Sequence, residues 1–170
     1  LQERVPRYVP VIRPRPAEPT REEAPLPSLP PRRFRSPHTR FPSAHFLSNG
    51  QYTTIVTNGG GGASTWHGLS VTRERDDSTT DLASQSIYLR DVRSGLLWSA
   101  AHQPVCREAE RYRVRFSADE AEFERLDDGI ETRLEIAVSP EDDVEVRRVT
   151  LVNRSDRVRD WHARRAMQKA

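Results

Sequence analysis

The sequence predicts an all-β protein, an antiparallel β-sandwich preceded by a proline-rich extended segment. Three observations carry that expectation. Apolar residues recur at every second position in several runs after residue 46. Clusters of Gly, Asn, Asp and Pro separate these runs at hairpin spacing, and no long helical crossover intervenes.

Residues 1–44 hold eleven of the thirteen prolines, interleaved with arginine and glutamate. Proline removes a backbone donor and holds extended geometry, so this segment reads as a linker with no packed core of its own. It is a spacer or a ligand for a proline-recognising module, and its end, Phe34-Arg35-Ser36-Pro37-His38, is able to lie against the following domain. The sandwich is expected over residues 45–159. Asn49-Gly50 marks a turn, and Tyr52 to Asn58 follows as a strand rich in β-branched residues. The run Gly59-Gly60-Gly61-Gly62 then leads through Ser64 to Trp66. Four glycines lose much backbone entropy on ordering, so an ordered loop here needs a reason such as left-handed dihedrals or close approach of another group.

Further strands are expected at Leu69 to Arg73, at Ser86 to Asp91 and at Leu96 to Ser99, the last two joined as a hairpin. Tyr112, Val114 and Phe116 alternate with Arg111, Arg113 and Arg115, which marks a strand with one core face and one solvent face. Phe123 sits in another strand, and Asp127-Asp128-Gly129 turns the chain into the longest alternating run, Ile130 to Val138. A turn at Ser139-Pro140-Glu141-Asp142 leads to Val144 to Asn153. There the apolar phase slips between Val146 and Val149, which predicts a bulge near Arg147 and Arg148. The stretch after Gln103 and the tail Asp160 to Ala170 are weak helical candidates.

Composition bounds the function classes. Lysine and arginine total 27 against 25 acidic residues, and the two signs alternate along the chain. A nucleic-acid partner is not expected, because binding a phosphate backbone needs clustered positive charge. Cys106 is the single cysteine, which fits a reducing compartment and no internal disulfide. No apolar run approaches a membrane span, so direct membrane insertion is not expected. The chain starts at Leu1 without a methionine, which suggests a piece of something longer.

Few residues suggest chemistry. The glycine run lacks the Lys-Ser/Thr close and the strand-to-helix setting of a phosphate loop, and otherwise reads as a flexible hairpin connection. Trp66 and Trp98 can each stack on a sugar ring, or fill a sandwich core in the case of Trp98. His45, His67 and His102 have no metal-ligand spacing, and Cys106 adds no second ligand, so no metal is expected. The pairs Asp76-Asp77, Asp127-Asp128 and Asp142-Asp143 sit beside turn residues and read as solvated turns rather than a hydrolytic pair facing a cleft. No catalytic set and no cofactor emerge.

Several motifs in order carry a resemblance. Leu47-Ser48-Asn49-Gly50-Gln51-Tyr52, Thr57-Asn58-Gly59-Gly60-Gly61-Gly62-Ala63-Ser64 and Ile87-Tyr88-Leu89-Arg90-Asp91, with Trp98-Ser99 and Gln103-Pro104, resemble the N-terminal domain of glycosyltransferase family 36, now glycoside hydrolase family 94. That family holds cellobiose and chitobiose phosphorylases and part of cyclic β-1,2-glucan synthase. Ile130 to Asn153 with Ser155-Asp156 is most similar to the synthase branch. The resemblance implies a galactose-mutarotase-like supersandwich that precedes an (α/α)6 catalytic barrel, which these residues do not include. It implies a non-catalytic domain that supports or lines a sugar cleft, with Gly59, Gly60, Gly61, Gly62, Ser64 and Trp66 as cleft-wall candidates.

The partners it implies are a β-glucan or oligosaccharide, the barrel of the parent protein and a second copy of the chain in a homodimer. The location it implies is cytoplasmic, on a parent synthase associated with the inner membrane. A stand-alone carbohydrate-binding module and a purely structural scaffold are the alternatives. Two departures stand out. Ala63 occupies a position where the family usually has an aromatic ring, and residues 160–170 do not look like the further strands of the family, so the sandwich is expected to be truncated.

Overall fold

The computed structural model describes residues 30–72 and 85–167. Within them the secondary structure is strand only: β1 (Arg32–Phe34), β2 (Ala44–Ser48), β3 (Tyr52–Thr57), β4 (Gly62–Trp66), β5 (Leu69–Ser70), β6 (Gln85–Asp91), β7 (Leu97–Ser99), β8 (Arg111–Phe116), β9 (Ala121–Asp127), β10 (Ile130–Val138), β11 (Glu145–Asn153) and β12 (Trp161–Met167). They form a five-stranded sheet in the order β1-β8-β9-β10-β11, a four-stranded sheet β2-β3-β4-β5 and a three-stranded sheet β12-β6-β7. Every recorded pairing is antiparallel.

Alternation along the strands of the large sheet builds its two faces. Register sets Val114 beside Phe123 beside Leu134, and Phe116 beside Ala121 beside Ile136, and all of these side chains are buried. This inner face meets the two smaller sheets. The Trp98 indole on β7 donates to Thr132 Oγ1 on β10 at 3.3 Å, and His45 on β2 stacks on Phe116 with centroids 4.7 Å apart. Burying each large apolar side chain here contributes about 1.5–3 kcal/mol.

The outer face of the same sheet is a grid of opposite charges. Glu122 lies beside Arg115 and pairs with it at 2.5 Å, and it also pairs with Arg133. Arg148 grips Glu135 through two hydrogen bonds of 2.6 Å. Cross-strand neighbours of opposite sign stabilise a sheet modestly and keep this face wet. The outer face of the four-stranded sheet differs, for register places Phe46, Ile55 and Ala63 side by side there.

Several expectations change. Segment 1–44 read as a linker, yet Arg32–Phe34 form the edge strand β1, hydrogen-bonded to β8, and the Phe34 ring meets Phe116 edge-on at 5.5 Å. Residues 1–29 of that segment, Arg73 and the pair Asp76-Asp77 lie outside the described residues. The bulge expected at Arg147 and Arg148 is absent, because β10 and β11 stay in unbroken register from Ile130↔Asn153 to Val138↔Glu145. The apparent phase slip has another cause. Glu145 and Arg147 point inward as an ion pair, and Val146 is left exposed.

The tail read as divergent or helical is a strand, since Trp161 to Met167 pair residue for residue with β6. Its first residue meets Trp98 edge-on at 5.4 Å. The stretch after Gln103 is turn and irregular chain rather than helix. Asp127 is not a solvated turn residue either. Its position two residues after Arg125 puts both on the inner face, where they pair.

Candidate functional site

The glycine run closes the hairpin between β3 and β4. The Thr57 amide donates to the Gly61 carbonyl at 2.8 Å and the Gly60 amide to the Thr57 carbonyl at 2.9 Å. Glycine is required at two positions. Gly60 (φ +90°) lies so close to Ala101 that an added Cβ would collide with the Ala101 methyl, and a Cβ on Gly62 (φ +152°) would strike the Ile55 carbonyl. The turn is therefore ordered and packed, and Gly59, Gly60 and Gly61 are buried. The loop 99–107 holds it from the other side. The Gln103 amide donates to the Gly59 carbonyl at 2.9 Å, and the Tyr112 hydroxyl donates to the Asn58 carbonyl at 2.8 Å.

A hollow of about 120 Å³ opens at this corner, with His38, Thr39, Asn58, Gly59, His102 and Gln103 among its lining residues. The Asn58 side chain ties the corner to the incoming chain, for its oxygen accepts from the Ser43 amide at 2.8 Å and its amide donates to the Pro37 carbonyl at 3.0 Å. His38 Nε2 and Glu108 Oε1 are 2.7 Å apart, and the rings of His38 and His102 meet edge-on at 5.0 Å. Burial pushes the His102 imidazole below its ordinary value. The charge of Glu108 and a hydrogen bond to the Arg107 backbone pull the other way, while His38 and Arg125 add to the depression. The hydrogen bond from His38 holds the Glu108 carboxyl below the usual range.

Ser64 and Trp66 lie away from this corner. Ser64 is 1% exposed, and its hydroxyl contacts Thr54 Oγ1 at 3.0 Å and donates to Glu145 Oε2 at 2.6 Å. The Tyr52 hydroxyl donates to the same carboxylate oxygen at 3.1 Å. Burial alone would raise the Glu145 carboxyl, but the charge of Arg147 with hydrogen bonds from Ser64, Arg147 and Tyr52 outweighs it and holds the group below its ordinary value. Trp66 is 42% exposed and donates its indole N–H to Asp143 Oδ2 at 2.7 Å. It pairs with Tyr52 at the far end of the hairpin from Gly62, which pairs with Val56. Four residue steps along the strand separate them, about 13 Å at the usual rise.

The structure thus brings Gly59, Gly60, Gly61 and Gly62 together at one corner and sets Trp66 at the other end, with Ser64 enclosed between them. Trp98 is wholly buried and belongs to the core. Sequence reasoning missed His38 and Glu108, which stand 70 positions apart and meet only because β1 and its outgoing loop lie against the large sheet. The expectation that Phe34-Arg35-Ser36-Pro37-His38 is able to lie against the following domain is the local signal that this loop is tied down.

The profile of the family described as "Glycosyl hydrolase 94, supersandwich domain" matches residues 29–163. The chain is 35% identical over 155 residues to the cyclic beta-(1,2)-glucan synthase NdvB of Rhizobium meliloti (strain 1021), covering 90% of this chain and 6% of that protein. It is 30% identical over 128 residues to the N,N'-diacetylchitobiose phosphorylase of Vibrio proteolyticus, covering 72% of this chain and 16% of that enzyme. The corresponding enzyme of Vibrio furnissii matches at the same identity and coverage. The chain therefore spans a small part of the relatives it matches, and the matched part reaches three residues into the final strand, β12. An antiparallel β-sandwich, the motif-bearing glycine hairpin and this family match together place the chain in the glycosyl hydrolase 94 supersandwich domain family.

Proposed function

We propose that this chain is a non-catalytic sandwich that packs on a sugar-processing domain of the same protein and borders its sugar cleft with the glycine corner. The observation that carries the reading is the contrast between its two outer sheet faces. The five-stranded sheet presents paired charges, whereas the four-stranded sheet presents Phe46, 62% exposed, beside Ile55 and Ala63. A face of that kind suits burial against a neighbouring domain. The occupant fits the relatives, for the matched region makes up 6% of the synthase and 16% of the phosphorylase. Those relatives are named for different sugars, which favours a shared supporting role for this region and leaves bond chemistry to the remainder.

The sugar class follows from the synthase relative, a β-1,2-linked glucan. Gly59, with Thr39 and Gln103 around the hollow, supplies a polar rim for a sugar edge, and no metal or organic cofactor is invoked for this role. A second reading, a stand-alone carbohydrate-binding module, is favoured by the half-exposed Trp66 ring. Fluorescence and calorimetric titrations with β-1,2-linked gluco-oligosaccharides separate the two. Quenching that vanishes in Trp66→Ala supports the module, and saturable heat that survives Trp66→Ala supports the glycine corner. Absence of both signals leaves a scaffold without sugar contact. Incubation with phosphate and β-glucan is expected to release no sugar phosphate, and reproducible release would overturn the non-catalytic role.

A further inference from the structure

We propose that His38, His102 and Glu108 form a binding site for a divalent transition-metal ion of the zinc class. One ligand atom from each residue lies within 4.8 Å of the other two. Three ligands around tetrahedral zinc, at about 2.0–2.2 Å from the ion, stand about 3.4 Å apart, so a modest closure suffices. The two groups that would move are free to do so, because the His38 and Glu108 side chains are 62% and 69% exposed. His102 is the fixed member, 6% exposed and in edge contact with Tyr112 at 6.4 Å.

The framework behind the ligands is built from one buried side chain. The Arg125 guanidinium donates to the carbonyls of Ala101 and of Arg107, the residues just before His102 and Glu108. A single planar group thus sets the spacing of both ligand backbones. The adjoining hollow lined by Thr39, Gly59 and Gln103 has room for water at an open fourth position. Two imidazoles and one carboxylate favour zinc, nickel or copper over magnesium, which takes oxygen ligands. The inference stands apart from the sugar reading.

The test is isothermal titration of the untagged, chelator-treated chain with zinc chloride. One ion is expected per chain, with magnesium chloride giving no comparable heat. His38→Ala and Glu108→Gln, both at exposed side chains, are each expected to weaken uptake by about tenfold or more. Cys106→Ser is expected to leave it unchanged, and cobalt is expected to give tetrahedral visible bands without a thiolate charge-transfer band. Absence of saturable uptake, equal affinity for magnesium, affinity indifferent to both His38→Ala and Glu108→Gln, or loss of uptake in Cys106→Ser would overturn the proposal.

Discussion

Arg125 and Asp127, two residues apart on one face of β9, form an enclosed two-point ion pair: Nε donates to Oδ2 at 2.6 Å and Nη2 to Oδ1 at 2.8 Å, with side chains 0% and 1% exposed. The remaining guanidinium donors go to the Ser99, Ala101 and Arg107 carbonyls. One charged group thereby fastens the 99–107 loop to the large sheet, and the loop in turn braces the glycine turn. Removing one partner strands the other charge in the core. Arg125→Met is expected to cost about 3–5 kcal/mol, whereas Arg148→Ala, which breaks a pair on the wet outer face, is expected to leave the urea midpoint nearly unmoved. Urea unfolding of both variants checks the contrast.

The glycine turn makes a graded prediction. Gly50→Ala meets open space at a positive φ and is expected to cost about 1–2 kcal/mol from backbone strain alone. Gly60→Ala and Gly62→Ala add collisions with Ala101 and with the Ile55 carbonyl, each worth about a further 1–3 kcal/mol. Thermal melts should place Gly60→Ala and Gly62→Ala both below Gly50→Ala.

Strand β12 is expected to matter although its own residues show no clear apolar alternation. Removing residues 160–170 bares the edge of β6 and deletes the Trp161 ring that meets Trp98. Trp161→Ala alone is expected to lose about 0.5–1.5 kcal/mol beyond its buried area, and the truncated chain to aggregate at concentrations where the full chain stays monodisperse. Light scattering beside a denaturation curve reads both effects.

Acid should weaken the fold in two stages. Burial holds the His45 imidazole below 6.5; the Ser117 backbone pulls it up and Arg32 adds to the depression. The unfolded chain therefore takes that proton first, so the stability contributed by neutral His45 is present above 6.5 and declines as pH falls below it. Glu145 is also held below its ordinary value of 4.5, so its contribution is present above that value and is lost as pH falls through the lowered one. Urea midpoints across this range should fall in both windows, and His45→Gln should shrink the upper one without abolishing it, since burial depresses His102 in the same direction.

Legibility followed how far each strand obeys alternation. β8 and β10 were visible because each turns apolar side chains to one face, Tyr112, Val114 and Phe116 on the first and Ile130, Leu134 and Ile136 on the second. β11 was read with a false bulge because Glu145 and Arg147 occupy inward positions that a hydrophobicity pattern assigns to apolar residues. β12, with His162, Arg164 and Arg165 exposed, owes its strand conformation to the edge of β6 rather than to its own residues. The glycine turn announced that it needed a reason but not which one, since Ala101 and Ile55 approach it only in the folded chain. Asp127 reads as a turn carboxylate because Asp128 and Gly129 follow it, and no apolar pattern marks Arg125, two residues before it, as an inward partner.

The most direct test of the supporting role at a sugar cleft is amide chemical-shift mapping of the full chain titrated with a β-1,2-linked gluco-oligosaccharide. Shifts concentrated at Thr39, Gly59 and Gln103, with Trp66 and the charged outer face unmoved, are the predicted result. Shifts centred on Trp66, or none at a saturating concentration of sugar, would contradict it.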